Sequence, residues 1–172
     1  MICLTPFLLT IGQRDETVNS VFSSVLADAW RCKLFKSSYE ENPNECISAL
    51  ANERGLTQFL GDFAMLHPDG GTWLEALAAW KAPVILFVLP ASDGMVGGEA
   101  SAYVALCKQL SVNLLGLVQV GDPWDSHKRK LDGLPWCGFF PSDLLNQSPS
   151  IQSLIILDEL IRKLEIQLKY LP

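Results

Sequence analysis

The stretch PVILFVLPASDGMVGGEASAYVALCKQLSVNLLGLVQV, residues 83–120, decides the fold. It opens with a short run, Pro83–Leu89, that Pro90 stops. Such a run, apolar without alternation, is what a strand covered on both faces requires. Glu99–Leu110 reads as a helix, with Ala102, Val104, Ala105 and Leu106 forming a broad small-residue face. Val112–Val120 is a second buried strand, halted by Gly121-Asp122-Pro123. Two apolar strands joined by a helix predict parallel pairing across a helical crossover.

The same alternation extends outward in both directions. Ile2–Leu9 reads as a strand. From Thr17 to Ala29, Val18, Val21, Phe22, Val25, Leu26 and Ala29 keep the i, i+3, i+4, i+7 spacing of one amphipathic helix. Cys32–Phe35 is a weaker strand candidate, Pro43–Asn52 looks helical, and Phe59–Phe63 is the strand candidate within an ambiguous Gly55–Leu66. Thr72 with Glu75 three residues later has the reciprocal capping pattern for a helix through Trp80. Gly121–Trp136 reads as one long loop, and Trp136–Phe140 as a short last strand. Ser148-Pro149 is the cap-then-proline start of a long C-terminal helix, apolar over more than half its turn. The predicted class is therefore α/β: one domain over residues 1–172, three layers in αβα order, a mostly parallel sheet with helices on both faces.

Composition narrows the function classes. The 172 residues include 13 Lys+Arg against 19 Asp+Glu, a net charge of −6, which disfavours a general nucleic-acid binder. At 49% hydrophobic and 19% charged, the chain has the composition of a folded domain. Its apolar runs are strand-sized, so a membrane span is not expected, and MICLTPFLLT has neither a basic leader nor a small-residue cleavage motif. Cys3, Cys32, Cys46, Cys107 and Cys137 are odd in number with no CxxC pair, which predicts buried free thiols in a reducing cytoplasm.

Taken in order, APVILFV (Ala82–Val88), LLGLVQV (Leu114–Val120) and GLPW (Gly133–Trp136), behind a strand, a polar loop ending in Thr17 and a helix, resemble dethiobiotin synthetase of the P-loop NTPase superfamily. The resemblance covers most of the chain and rests on pattern. It implies a P-loop-like fold, ATP and magnesium as cofactors, carboxylation of a diamino acid to close a ureido ring in biotin synthesis, and a homodimer with sites between subunits. Carried over residue by residue, it implies Thr17 as the magnesium-side hydroxyl, Lys36 in KLFKSS on the substrate, and Asp62 or Asp69 as the acidic metal helper. Gly94 in ASDG would keep the glycine of the loop after the central strand, and the adenine-reading Asn is replaced at Val120 or Gly121.

The phosphate loop departs from that pattern. Such a loop needs glycines so that backbone N–H groups approach the phosphates, and a Lys to neutralise them. Here it reads TIGQRDETVNS, residues 10–20, with Gly12 its only glycine and Asp15 and Glu16 where Gly and Lys would stand. A unit charge pair at 4 Å is worth about 4 kcal/mol at an effective dielectric of 20, so exchanging attraction for repulsion shifts the balance by up to about 8 kcal/mol. Micromolar binding is worth about 8 kcal/mol in total. Asp15 and Glu16 also satisfy the positive end of the following helix themselves.

Three function classes follow. The first is a synthetase-like protein with a decayed ATP site, acting in binding or regulation of a small-molecule ligand. The second is a working ATP- and magnesium-dependent enzyme whose remodelled loop uses Arg14 and the Lys128–Lys130 part of the basic run His127-Lys128-Arg129-Lys130. The third is a structural subunit, suggested by the apolar last helix and by Trp124 in the loop GDPWDS. His67 beside Asp69 has the residues of an acid–base pair, although a surface histidine is the simpler reading.

Overall fold

The computed structural model describes residues 5–11 and 16–171, with the side chains of 16–18 outside that description. Six strands form one all-parallel sheet: β1 (Phe7–Ile11), β2 (Lys33–Ser38), β3 (Gly55–Leu60), β4 (Pro83–Val88), β5 (Asn113–Val120) and β6 (Trp136–Phe140), in the order β2-β3-β1-β4-β5-β6. The helices are α1 (Glu16–Ala29), α2 (Pro43–Leu50), α3 (Trp73–Ala79), α4 (Gly98–Leu110), α5 (Ser126–Leu131) and α6 (Ile151–Lys169). This is the three-layer, P-loop-like αβα architecture expected from the alternation of apolar runs.

Strand periodicity splits the core into two halves. Phe7, Leu9 and Ile11 of β1 with Val84, Leu86 and Val88 of β4 face Ile47 of α2, Trp73, Leu74 and Leu77 of α3, and Val104 of α4. Leu8, Ile85, Phe87 and Val118 point the other way, onto Phe22 and Leu26 of α1 and Leu157, Leu160 and Leu164 of α6. All six residues of β4 are buried, which is why PVILFV carries no polar alternation. The layer assignment follows from handedness. Only α1 carries the chain back along the strand order, from β1 to β2, and it packs on one face. Helices α2, α3 and α4 carry it forward and pack on the other, as a single crossover hand demands.

Several boundaries differ from the sequence expectation. Within the described residues the first strand runs Phe7–Ile11 rather than ending at Leu9. The third lies at Gly55–Leu60, upstream of Phe59–Phe63, because Gly61 at φ +118° ends it against the Tyr39 side chain. Buried Thr57 and Gln58 had broken its apolar run. The supposed loop Gly121–Trp136 contains α5, capped by Asp125, whose carboxylate accepts the N–H groups of His127 and Lys128 at 3.0 and 3.1 Å. Ser150, not Ser148, caps α6 by accepting from Ser153 N–H, so Pro149 precedes the cap. The capping box of Thr72 and Glu75 forms as read. Of the thiols, Cys107 and Cys137 are buried, Cys32 and Cys46 are half-buried, and Cys3 lies outside the described residues.

Candidate functional site

Open α/β sheets place their ligands beyond the C-terminal ends of the strands, where neighbouring strands send the chain to opposite faces. Here β1 hands the chain to α1 on one face, and its neighbour β4 hands it to α4 on the other. A crevice of about 560 Å³ lies at that point, walled by Ile11 at the end of β1, Val88–Pro90 at the end of β4, Met95, and the first turn of α4 from Gly97 to Ala100. A larger cleft, about 760 Å³, lies at the other end of the sheet around Trp30, Arg31, Cys32 and Arg54. Topology favours the smaller crevice as the candidate site, because no strand delivers its C-terminal end to the larger one.

The crevice wall is mainly apolar, and among the described residues that line it Glu99 is the one ionisable side chain. Glu99 sits in the first turn of α4, whose N-cap Gly97 offers no side-chain acceptor, so the carboxylate meets the positive end of the helix. The loop from Pro90 to Gly97 is tied to itself by Ala91 N–H to Met95 O (2.9 Å), Gly94 N–H to Ala91 O (2.8 Å) and Met95 N–H to the Asp93 carboxylate (2.9 Å).

Arg129 fixes this loop from behind. Its guanidinium donates to Gly94 O at 2.5 Å and to Gln119 Oε1 at 3.1 Å, lies 3.6 Å from Asp132, and covers the Trp136 ring at 5.1 Å. Gln119, fully buried on β5, returns its amide to Gly121 O and Pro123 O at 2.9 and 2.8 Å. The side chain read as part of a basic cluster is thus a buried strut. Lys128, its exposed neighbour, lies 4.0 Å from Asp125. Trp124 packs within the chain, stacked on Phe139 at 5.2 Å and edge-on to Trp136 at 5.8 Å. Sequence reading missed this assembly. Its one signal was Gln119, an amide inside the otherwise apolar run Leu114–Val120.

The other expected site residues are spread around the C-terminal rim. Gly94 lies in the crevice loop at φ +75°, where a Cβ would stand 2.8 Å from Pro123 Cγ, so packing alone accounts for its glycine. Lys36 on β2 reaches Ser20 Oγ of α1 at 3.4 Å, on the α1 face of the sheet. Asp62, just past β3, accepts Ala64 N–H at 3.0 Å and the Tyr103 hydroxyl of α4 at 3.4 Å, on the opposite face. Asp69 accepts from Asn42 Nδ2 at 2.8 Å, near the start of α2. Lys36 and Asp62 are therefore not brought into one cluster. Among the described residues no group of three His, Cys, Asp or Glu side chains converges as a metal site. Thr17 lies in the first turn of α1 with its side chain outside the description, and Gly12, Arg14 and Asp15 lie outside the described residues altogether.

His67 is buried rather than at the surface. Its Nδ1 accepts the Asp69 N–H at 3.1 Å, while the Asp69 carboxylate, at 3.7 Å, is beyond hydrogen-bond range. With Nδ1 occupied as an acceptor, the geometry is that of a turn and not of an acid–base pair.

The chain matches no protein-family model and no curated protein. Among the described residues, no helix is long and apolar enough to cross a membrane.

Proposed function

We propose that this chain is a dethiobiotin-synthetase-like protein whose nucleotide site has decayed, and that it serves as a non-catalytic binding or regulatory protein. The crevice between the ends of β1 and β4 takes a small, largely apolar ligand in place of a triphosphate. The observation that carries this reading is electrostatic: the one ionisable group among the crevice's described lining residues is acidic. It stands where a phosphate-binding site needs cations and free N–H groups. The sequence adds Asp15 and Glu16 in the preceding loop. Arg129, the middle residue of the basic cluster read as an alternative phosphate contact, is committed to Gly94 and Gln119.

Calorimetric titration with Mg-ATP tests the reading. The expected result is no heat of binding at micromolar ligand, and a micromolar dissociation constant overturns it.

A further inference from the structure

We propose that the cleft at the opposite end of the sheet from the crevice is a second binding site, for a small aromatic carboxylate held by Arg31 and Arg54 against Trp30. Four segments close it: the C-terminal ends of α1 and α6, the turn that leads into β2 and the turn that leads into β3. Its volume, about 760 Å³, falls in the range of small-molecule sites, roughly 300–1,000 Å³. The rims are tied down. The N–H groups of Arg31 and Cys32 donate to the carbonyls of Asp28 and Ala27, both at 3.0 Å, and the Thr5 hydroxyl donates to Glu53 O at 2.9 Å. Buried Ala27 and Leu56 with half-buried Leu168 supply an apolar interior. Trp30, also half-buried, is the one aromatic ring among the described lining residues, and its indole N–H donates to Glu165 Oε1 at 3.1 Å. A ring pinned at its N–H gives up little freedom when a ligand packs on it.

The charges select the ligand. Arg31, Lys33 and Arg54 line the cleft, and so do Asp28, Glu53 and Glu165. Glu165 is engaged by the Trp30 indole, and Glu53 lies 3.8 Å from Lys33. Two guanidiniums then stand against one remaining carboxylate, Asp28, and among the described residues neither guanidinium makes a hydrogen bond or an ion pair. What is left over is positive charge beside an apolar surface. A guanidinium fork matches a carboxylate through two parallel N–H···O bonds, so an acid on an aromatic body uses both features. A neutral aromatic would use the ring and leave the cations to water. Burial and the Asp28 carboxylate push the Cys32 thiol up, so it lines the cleft as a neutral thiol and binding involves no covalent step. The site does not depend on what the crevice between β1 and β4 takes, because the two share no lining residue.

Naphthoate, titrated into the nitrogen-15-labelled full chain and followed by NMR, tests the site, with the Trp30 indole N–H signal assigned from Trp30→Phe. The expected result is a saturating shift of that signal with a dissociation constant below about 1 mM, and binding of the uncharged naphthamide about tenfold weaker. Arg54→Gln is expected to weaken naphthoate about tenfold. Arg31→Gly gives the sharper readout. Arg31 sits at φ +54° just after α1, where glycine is the favoured residue, so this variant keeps or raises the Tm while its affinity falls about tenfold. Loss of folding cannot produce that combination. A Trp30 signal that does not move overturns the proposal. So does equal affinity for the acid and its amide, and so does an affinity that either arginine variant leaves unchanged.

Discussion

Replacing Arg129 by Ala tests whether the crevice loop is held from behind as described. The guanidinium makes two charge-assisted hydrogen bonds, to Gly94 O and Gln119 Oε1, in a buried position. Bonds of that kind contribute about 1.5–3 kcal/mol each. The contact with the Trp136 ring adds about 1 kcal/mol. Truncation leaves two carbonyl oxygens without their donor, and water entering the vacated space recovers part of the loss. The net cost comes to roughly 3–5 kcal/mol, as for other broken buried charge contacts. In urea unfolding followed by tryptophan fluorescence, that lowers the midpoint by about 2 M at a slope of about 2 kcal/mol per M. Lys at 129 keeps the charge but not the planar fork, so it should restore less than half of the loss. Lys128→Ala, one residue away and exposed, should stay within about 0.5 kcal/mol. If Arg129→Ala also stays within about 0.5 kcal/mol, Arg129 is an ordinary solvated cation and the strut does not exist.

Three further outcomes follow from named contacts. Asp143 accepts from Ser150 N–H, the Ser153 hydroxyl and Asn146 Nδ2, and these bonds hold its carboxyl well below the usual carboxylate range. A group depressed on folding stabilises above its unfolded value, about 3.9. The Tm gap between wild type and Asp143→Asn should therefore be full at pH 6 and close as pH falls below about 4; a gap independent of pH refutes the assignment. Burial pushes the Cys107 and Cys137 thiols up to about 11. At pH 8 a disulfide reagent should leave both unmodified in the native chain and reach them only in denaturant, with mass mapping as the readout. At Gly116, with φ +148°, a Cβ would stand 2.5 Å from Cys137 Sγ and 2.7 Å from Pro135 O. Gly116→Ala should cost roughly 2–4 kcal/mol in the same urea assay.

The fold was legible where burial and periodicity agree. Pro83–Val88 lies wholly inside, so nothing polar interrupts it, and Phe22 and Leu26 keep helical spacing because α1 buries one stripe. Elements that do not bury a simple stripe were hidden. α5 contains SHKRKL and is held by an Asp125 cap and by a buried arginine, so its pattern is that of a polar loop. β3 carries Thr57 and Gln58 into the interior, which broke its apolar run. The candidate site was less legible still, because it depends on which loops meet. Gly94, Gln119 and Arg129 are separated by up to 35 residues and join only when β4 and β5 pair. Lys36 and Asp62, close in an ordered list of motifs, end on opposite faces of one sheet.

The account depends most on the crevice at the ends of β1 and β4 having lost its affinity for triphosphates. Crystals of the chain soaked with millimolar Mg-ATP examine that space directly. The account predicts no nucleotide density between Ile11, Pro90 and the first turn of α4. An ordered triphosphate lying against that turn, with magnesium beside it, would contradict it.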